Sequence, residues 1–145
     1  MNRIAEYSVE LVRERTLNVE SKNADCPENV ATIARQYLGN PDREYFVAFL
    51  LNSRNQVIGI NTVSVGTLSS SLVHPREVFK PAILAGAAAI IVVHNHPSED
   101  VSPSPEDKTA TRRLKESGEL LGIPLLDHVI IGAGHFSFRC NGLLG

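Results

Sequence analysis

Residues 89–107 read AIIVVHNHPSEDVSPSPED. The stretch opens on an apolar, largely β-branched run, Ala89 to Val93, the composition of a strand buried on both faces. His94 and His96 close that run, with Asn95 between them. Residues two apart on extended backbone point the same way, so both imidazoles face one side and Asn95 faces the other, where it is expected to stabilise the loop. Pro97 ends the strand. Ser104, Pro105 and Asp107 then have the form of a helix start. Serine suits the N-cap, proline the first helical position, and an acid at the third position closes a capping box.

Working outward, Ser104 to Leu121 reads as the helix and Leu125 to Ile131 as a further strand. Ala133-Gly134 turns the chain into a hairpin with His135 to Arg139. On the other side, His74-Pro75-Arg76-Glu77 starts a helix with Val78, Phe79, Ala82 and Ile83 on its apolar face. Pro81 predicts a kink or a break inside it. Glu44 to Leu51, EYFVAFLL, is a central strand, and Val57 to Val65 alternates as its hairpin partner across the turn Asn52 to Asn55. Gly66 breaks that partner. Cys26-Pro27-Glu28 opens an earlier helix with Val30, Ile33, Ala34, Tyr37 and Leu38 on one face, and Gly39-Asn40-Pro41 stops it. Val9 to Val19 alternates weakly and predicts a short strand or extended arm. The expectation is one domain over 1–145, with an arm or strand in 1–25 and the core in 26–145. Strands alternating with helices, plus one early and one late hairpin, predict an α/β fold: a mixed central sheet sandwiched between helices, with a site at the ends of its central strands.

The chain has 145 residues, enough for a real core, and a formal net charge of -2 with acids and bases intermixed. A phosphate-binding surface needs a clustered basic face, so direct nucleic-acid binding is not expected. Arg112, Arg113 and Lys115 form the one tight basic cluster, which a solvated helix face explains. The two cysteines, Cys26 and Cys140, form no CxxC pair, so no disulfide framework or thiolate zinc site is implied and a reducing cytosol fits. MNRIAEYSVELVRER has no apolar core of a signal peptide, and the longest apolar run, around Ala82 to Val93, contains Gly86 and is too short to span a bilayer. A cytoplasmic protein without a membrane segment is expected.

Imidazole is a good zinc ligand, and catalytic zinc takes three protein ligands and leaves a fourth place to water. Asp107 is the best third ligand, because a loop of ordinary length folds the first helical turn back beside the strand end. Asp100 is the rival acid on the loop itself. The bland reading makes the histidines surface or core residues and Ser104 to Asp107 a helix start alone. The two readings are compatible, because a helix start holds its side chains rigidly, as a site requires. His128, beside Asp127, reads as a packed and hydrogen-bonded residue, not a ligand. His74 and His135 carry no assignment beyond capping or lining.

H-x-H, seven residues, then S-x-x-D is the pattern of the JAMM (MPN+) metalloproteases, matched here by His94, His96, Ser104 and Asp107. The text from Ser64 to Gly132, with VHPREVF and LLGIPLLDH in it, resembles the bacterial RadC family almost continuously. A looser match runs from about Arg35 to the C-terminus. The resemblance implies a three-layer α/β/α sandwich related to the cytidine-deaminase layout. It also implies one zinc per chain on His94, His96 and Asp107. Arg43-Glu44-Tyr45-Phe46 matches the place of the family's early-strand glutamate. Glu44 would then be the general base, and Ser104 would donate to the oxyanion during hydrolysis of a peptide or isopeptide bond in an unidentified peptide or protein. Glu77 falls in HPREVF and reads as a salt bridge or cap.

Three departures matter. Glu99 replaces the glycine of the family's HNHPSGD, which strains the backbone if that position needs positive φ. Pro81 interrupts a helix that the family keeps unbroken. The helix-hairpin-helix region that precedes this domain in RadC proteins does not fit into 145 residues, which weakens a direct repair role. Rival readings are a non-catalytic protein-binding scaffold, which a lost ligand would mark and none is lost, and a DNA-associated factor, which calls for a basic face. A zinc deaminase needs H-x-E with P-C-x-x-C, and both are absent. Edge strands near either terminus leave pairing into a homo-oligomer open.

Overall fold

The structure is a computed structural model that describes residues 1–66 and 73–145. Thr67 to Leu72, inside the stretch that carries the resemblance, lie outside the described residues. The elements run α1 (Pro27–Leu38), β1 (Tyr45–Leu51), β2 (Val57–Val65), α2 (Pro75–Ala85), β3 (Ala89–Asn95), α3 (Pro105–Leu121), β4 (Leu125–Ile131) and β5 (His135–Ser137). Among the described residues the strands form one sheet in the order β2-β1-β3-β4-β5. Strands β1 and β2, β1 and β3, and β4 and β5 pair antiparallel, while β3 and β4 pair parallel across the α3 crossover. This is the expected mixed sheet.

Strand alternation sorts the core into two halves. On one face Val47, Phe49, Leu51, Ile91, Val93 and Val129 pack with Val30, Ile33 and Ala34 of α1. On the other, Phe46, Ala48, Leu50, Ile90 and Val92 pack with Val78, Phe79 and Ala82 of α2 and Leu114 of α3. The result is a three-layer α/β/α sandwich. All seven residues of β3 are buried, which is why its sequence is continuously apolar until the histidines. Each fully buried side chain of the Phe49 or Ile90 kind contributes about 1.5–3 kcal/mol, so the middle of the sheet is the rigid platform on which the end of β3 sits.

The departures from the sequence reading have local causes. Strand β3 runs through His94 and Asn95, because the β1 ladder continues to a Phe46–His94 pair. Strand β5 stops at Ser137 instead of Arg139. The Arg139 amide turns away to donate to the buried Asp127 carboxylate at 2.9 Å. Residues 1–19 form no strand. Val9, Leu11 and Val12 are exposed, and their alternation has no partner strand. The chain first engages the domain near Arg15, which lies over the Tyr37 ring at 4.8 Å, and then pairs through a single bridge between Asn23 and Gln56.

Helix α2 runs from Pro75 to Ala85 with Pro81 inside it, so of the expected kink or break, the break does not occur. The proline ring is buried with Val78, Phe79 and Ala82, and that packing against the sheet offsets the missing N–H bond. Ile83, expected on the apolar face, is 55% exposed.

Glu99 has φ 72°, so the strained alternative holds. Its amide donates to the His96 carbonyl at 2.9 Å and its carbonyl accepts from Ala133 at 3.0 Å, which fixes the left-handed turn after the histidines. Left-handed backbone costs a non-glycine residue roughly 1–2 kcal/mol, of which glycine's freer unfolded chain gives back less than about 1. Glu99→Gly is therefore expected to stabilise the protein by about 0.5–1 kcal/mol, read as a higher urea midpoint with unchanged slope. A lower midpoint would show that the glutamate side chain makes up for its backbone.

Candidate metal centre

The centre lies where the C-terminal end of β3 meets the N-terminus of α3. His94 is the last histidine on the β3 ladder, and His96 follows one residue past the strand. Their rings stand edge to face with centroids 4.7 Å apart on one side of the sheet, as period-two alternation requires. Asn95 faces the other way. Its side chain accepts from the Tyr45 amide at 2.8 Å and donates to the Arg43 carbonyl at 2.9 Å. It clasps the two residues that flank Glu44, more specific than the loop role expected for it.

Helix α3 begins with the full capping box. The Asp107 amide donates to Ser104 Oγ at 3.1 Å, and the Ser104 amide donates to Asp107 Oδ2 at 2.7 Å. The same carboxylate faces both histidines: Oδ1 is 3.2 Å from His94 Nε2, and Oδ2 is 3.3 Å from His96 Nε2. Capping and clustering are thus one conformation of one side chain, and Asp107 is 1% exposed. Burial by itself would raise the Asp107 carboxyl, but its close contact with His94 and the hydrogen bond from the Ser104 amide outweigh it. They hold the group well below the usual carboxylate range, so it is an anion at any ordinary pH.

His94, His96 and Asp107 form a cluster that could hold a metal ion, and the donor set fits one. His96 Nδ1 lies 2.7 Å from the Asp100 carbonyl. A carbonyl only accepts, so Nδ1 carries the proton and a neutral His96 presents a bare Nε2 to the cluster. His94 Nε2 is 2.9 Å from that atom. Ligand atoms about 2.0–2.1 Å from a tetrahedral zinc stand roughly 3.3 Å from one another. The imidazole nitrogens here stand 2.9 Å apart, and each lies 3.2–3.3 Å from a different oxygen of the Asp107 carboxylate, so the donor atoms are gathered on that scale. Two imidazole nitrogens and an anion so close together repel one another unless a cation or a proton sits among them.

Asp100, the rival acid, lies on the loop. Its carboxylate accepts from the Ser102 amide at 2.9 Å, and only its carbonyl reaches the centre, through His96. Glu77 is exposed and pairs with Lys80 at 3.3 Å, as the salt-bridge reading had it. His74 is the N-cap residue of α2, and His135 faces Glu28 at 3.8 Å. Glu44 precedes β1, and its carbonyl accepts from the Gly66 amide at 2.8 Å. Glu44 lies two residues before the Phe46–His94 pair that ends the β1–β3 ladder, and His96 lies two residues after it.

The residues behind the centre were the ones that the sequence hid. His128 is packed and hydrogen-bonded as expected, but its partner is a member of the cluster: His128 Nε2 lies 2.8 Å from His94 Nδ1. His128 Nδ1 lies 2.6 Å from Thr111 Oγ1, and Thr111 Oγ1 donates to the Asp107 carbonyl at 2.7 Å. Burial above all pushes the His128 imidazole well below its usual pKa, so it is neutral. Phe138 stacks on the His128 ring at 4.5 Å, and Phe46 stacks on His94 at 5.9 Å. The one usable signal for Thr111 was its place four residues after Asp107 on the same helix face. The Asp100 carbonyl had none. Gly132 is needed beside the loop, because a Cβ there would lie 2.6 Å from the Glu99 carbonyl oxygen.

Among the described residues no helix is long and apolar enough to cross a membrane. The family model described as RadC-like JAB domain matches residues 24–143 of this chain. A UPF0758 protein of Rubrobacter xylanophilus is 56% identical over 118 residues, covering 81% of this chain and 52% of its own length. A UPF0758 protein of Desulforamulus reducens is 53% identical over 120 residues, covering 82% of this chain and 53% of its own. The chain therefore spans about half the length of the curated relatives it matches.

Proposed function

From the premise that this chain belongs to the RadC-like JAB domain family, we propose that it is a zinc-dependent hydrolase of peptide or isopeptide bonds. The observation that carries the reading is the cluster itself: three residues of catalytic-zinc ligand type, His94, His96 and Asp107, with their donor atoms within 4.8 Å of one another. A zinc ion bound there supplies Lewis acidity and lowers the pKa of water to near neutral.

In this reading each residue has one task. The Glu44 carboxylate takes a proton from the attacking water as the water oxygen bonds to the scissile carbonyl carbon. It then returns that proton to the amine nitrogen as the C–N bond breaks. Ser104 Oγ accepts from the Asp107 amide through its lone pair, which leaves its own proton to donate to the developing oxyanion. The capping box keeps both Ser104 and Asp107 in one rotamer, so neither must reorganise during the reaction. Asn95 holds the backbone on either side of Glu44. The substrate is a peptide or a protein-linked isopeptide, since the chemistry requires an amide.

Elemental analysis of the protein purified without added metal tests the reading. One zinc per chain is expected, together with cleavage in a fluorogenic peptide and isopeptide panel that a chelator stops and zinc restores. Protein that carries no zinc and takes none up on titration would overturn it.

A further inference from the structure

The polar groups behind His94 form a single line: His94, His128, Thr111 and the Asp107 carbonyl, joined by contacts of 2.8, 2.6 and 2.7 Å. Every member is buried: His94 is 1% exposed, His128 0%, Thr111 2% and Asp107 1%. Such a line has two internally consistent directions, because each neutral imidazole carries one N–H and one lone pair. In one direction His94 donates from Nδ1 to His128, His128 donates from Nδ1 to Thr111, and Thr111 donates to the Asp107 carbonyl. His94 Nε2 is then a bare lone pair aimed at His96 and Asp107. In the other direction Thr111 donates to His128, His128 donates from Nε2 to His94, and the His94 proton sits on Nε2. That proton would occupy the atom a metal must reach.

The far end of the line decides between them. The Asp107 carbonyl cannot donate, and in the reverse direction it would face a hydroxyl lone pair at 2.7 Å. The threonine proton is therefore committed to the carbonyl. Thr111 Oγ1 can then only accept from His128, and His128 can only accept from His94. The line starts at one member of the cluster and ends on the backbone of another, so it closes around the centre.

We propose that Thr111 is a positioning residue which, through His128, holds His94 in the tautomer that leaves Nε2 open to a metal ion. The inference rests on the metal-site reading above and adds to it a residue outside the H-x-H and S-x-x-D pattern. Thr111 touches neither the cluster's ligand atoms nor a substrate position. Its effect is to give the buried His128 Nδ1–H an acceptor, without which His94 binds a metal only by stranding that proton.

The test compares Thr111→Val, which keeps the shape and removes the hydroxyl, with Thr111→Ser, which restores it. Zinc affinity is read by competition with a chromogenic chelator, and imidazole tautomers by 15N NMR of the zinc-free protein. Thr111→Val is expected to bind zinc about 10–100-fold more weakly and to move the His128 proton from Nδ1 to Nε2, and Thr111→Ser is expected to return both to the wild-type values. Unchanged zinc affinity and tautomer in Thr111→Val would overturn the proposal. So would wild-type protein with the His128 proton already on Nε2. Should Thr111→Val lose its circular-dichroism signature, His128→Gln and His128→Phe decide. Glutamine keeps an acceptor for His94 and a donor for Thr111, whereas phenylalanine keeps only the stack on Phe138. Equal zinc affinity in those two variants sinks the idea. Wild-type protein that takes up no zinc refutes the proposed function instead, and the tautomers remain readable in that case.

Discussion

Asp107→Asn is expected to lose zinc while keeping most of its stability. The asparagine oxygen can still accept from the Ser104 amide, and the main-chain amide can still donate to Ser104 Oγ, so the capping box survives nearly intact. What disappears is the anion between two imidazoles and one metal ligand. Zinc affinity should fall by well over 100-fold, beyond the roughly 10–100-fold typical of groups that only support a ligand. Asp107→Ala should lose zinc as well and, with half of the capping box gone, about 1 kcal/mol of helix-start stability in addition. Urea denaturation of the zinc-free proteins separates the two effects, and elemental analysis reports the metal. Stoichiometric zinc in Asp107→Asn would reduce Asp107 to a cap and leave the two histidines without their third ligand. The comparison is informative because one carboxylate conformation serves both roles, so only a variant that preserves the cap can isolate the ligand.

The same double use explains what the sequence could and could not disclose. The spacing of His94 and His96, and of Ser104 and Asp107, is set within one strand end and one helical turn. Local periodicity is therefore enough to place each pair. Their meeting depends on the loop between them. Its left-handed turn at Glu99 was legible only as a departure from a familiar pattern. Glu44 was chosen by resemblance and not by any property of its own, since Glu77 is equally acidic and also precedes apolar residues. Place in the fold is what separates them: Glu44 immediately precedes β1, whose ladder with β3 reaches Phe46 and His94, whereas Glu77 sits on the exposed face of α2 among Arg76 and Lys80. The line from His94 through His128 to Thr111 joins β3, β4 and α3 across sequence separations of 34 and 17 residues. No local pattern encodes such contacts, because they exist only once the parallel β3–β4 pair has formed. Pro81 failed as a helix breaker for a related reason: propensity is local, and the sheet beneath α2 is not.

Glu44→Gln is expected to keep one zinc per chain and to lose hydrolysis by about 10²–10⁴-fold, the range for removal of a general base. The substitution changes one oxygen to an amide nitrogen with almost no change in volume. Asn95 clasps the Arg43 carbonyl and the Tyr45 amide, and the Gly66 amide donates to the residue 44 carbonyl. These contacts use backbone atoms that the variant retains. The position of the side chain should therefore survive, and the deficit should be chemical. Zinc content by elemental analysis and turnover on whichever substrate of the panel wild type cleaves give the two readings together. Loss of the metal along with activity would make Glu44 part of the binding site and not the proton carrier. Retention of full activity would move the base elsewhere on the histidine face. Intact zinc, an intact fold and the lowered rate together would make Glu44 the proton carrier, with the Asn95 clasp on Arg43 and Tyr45 as the contact that holds its backbone in place.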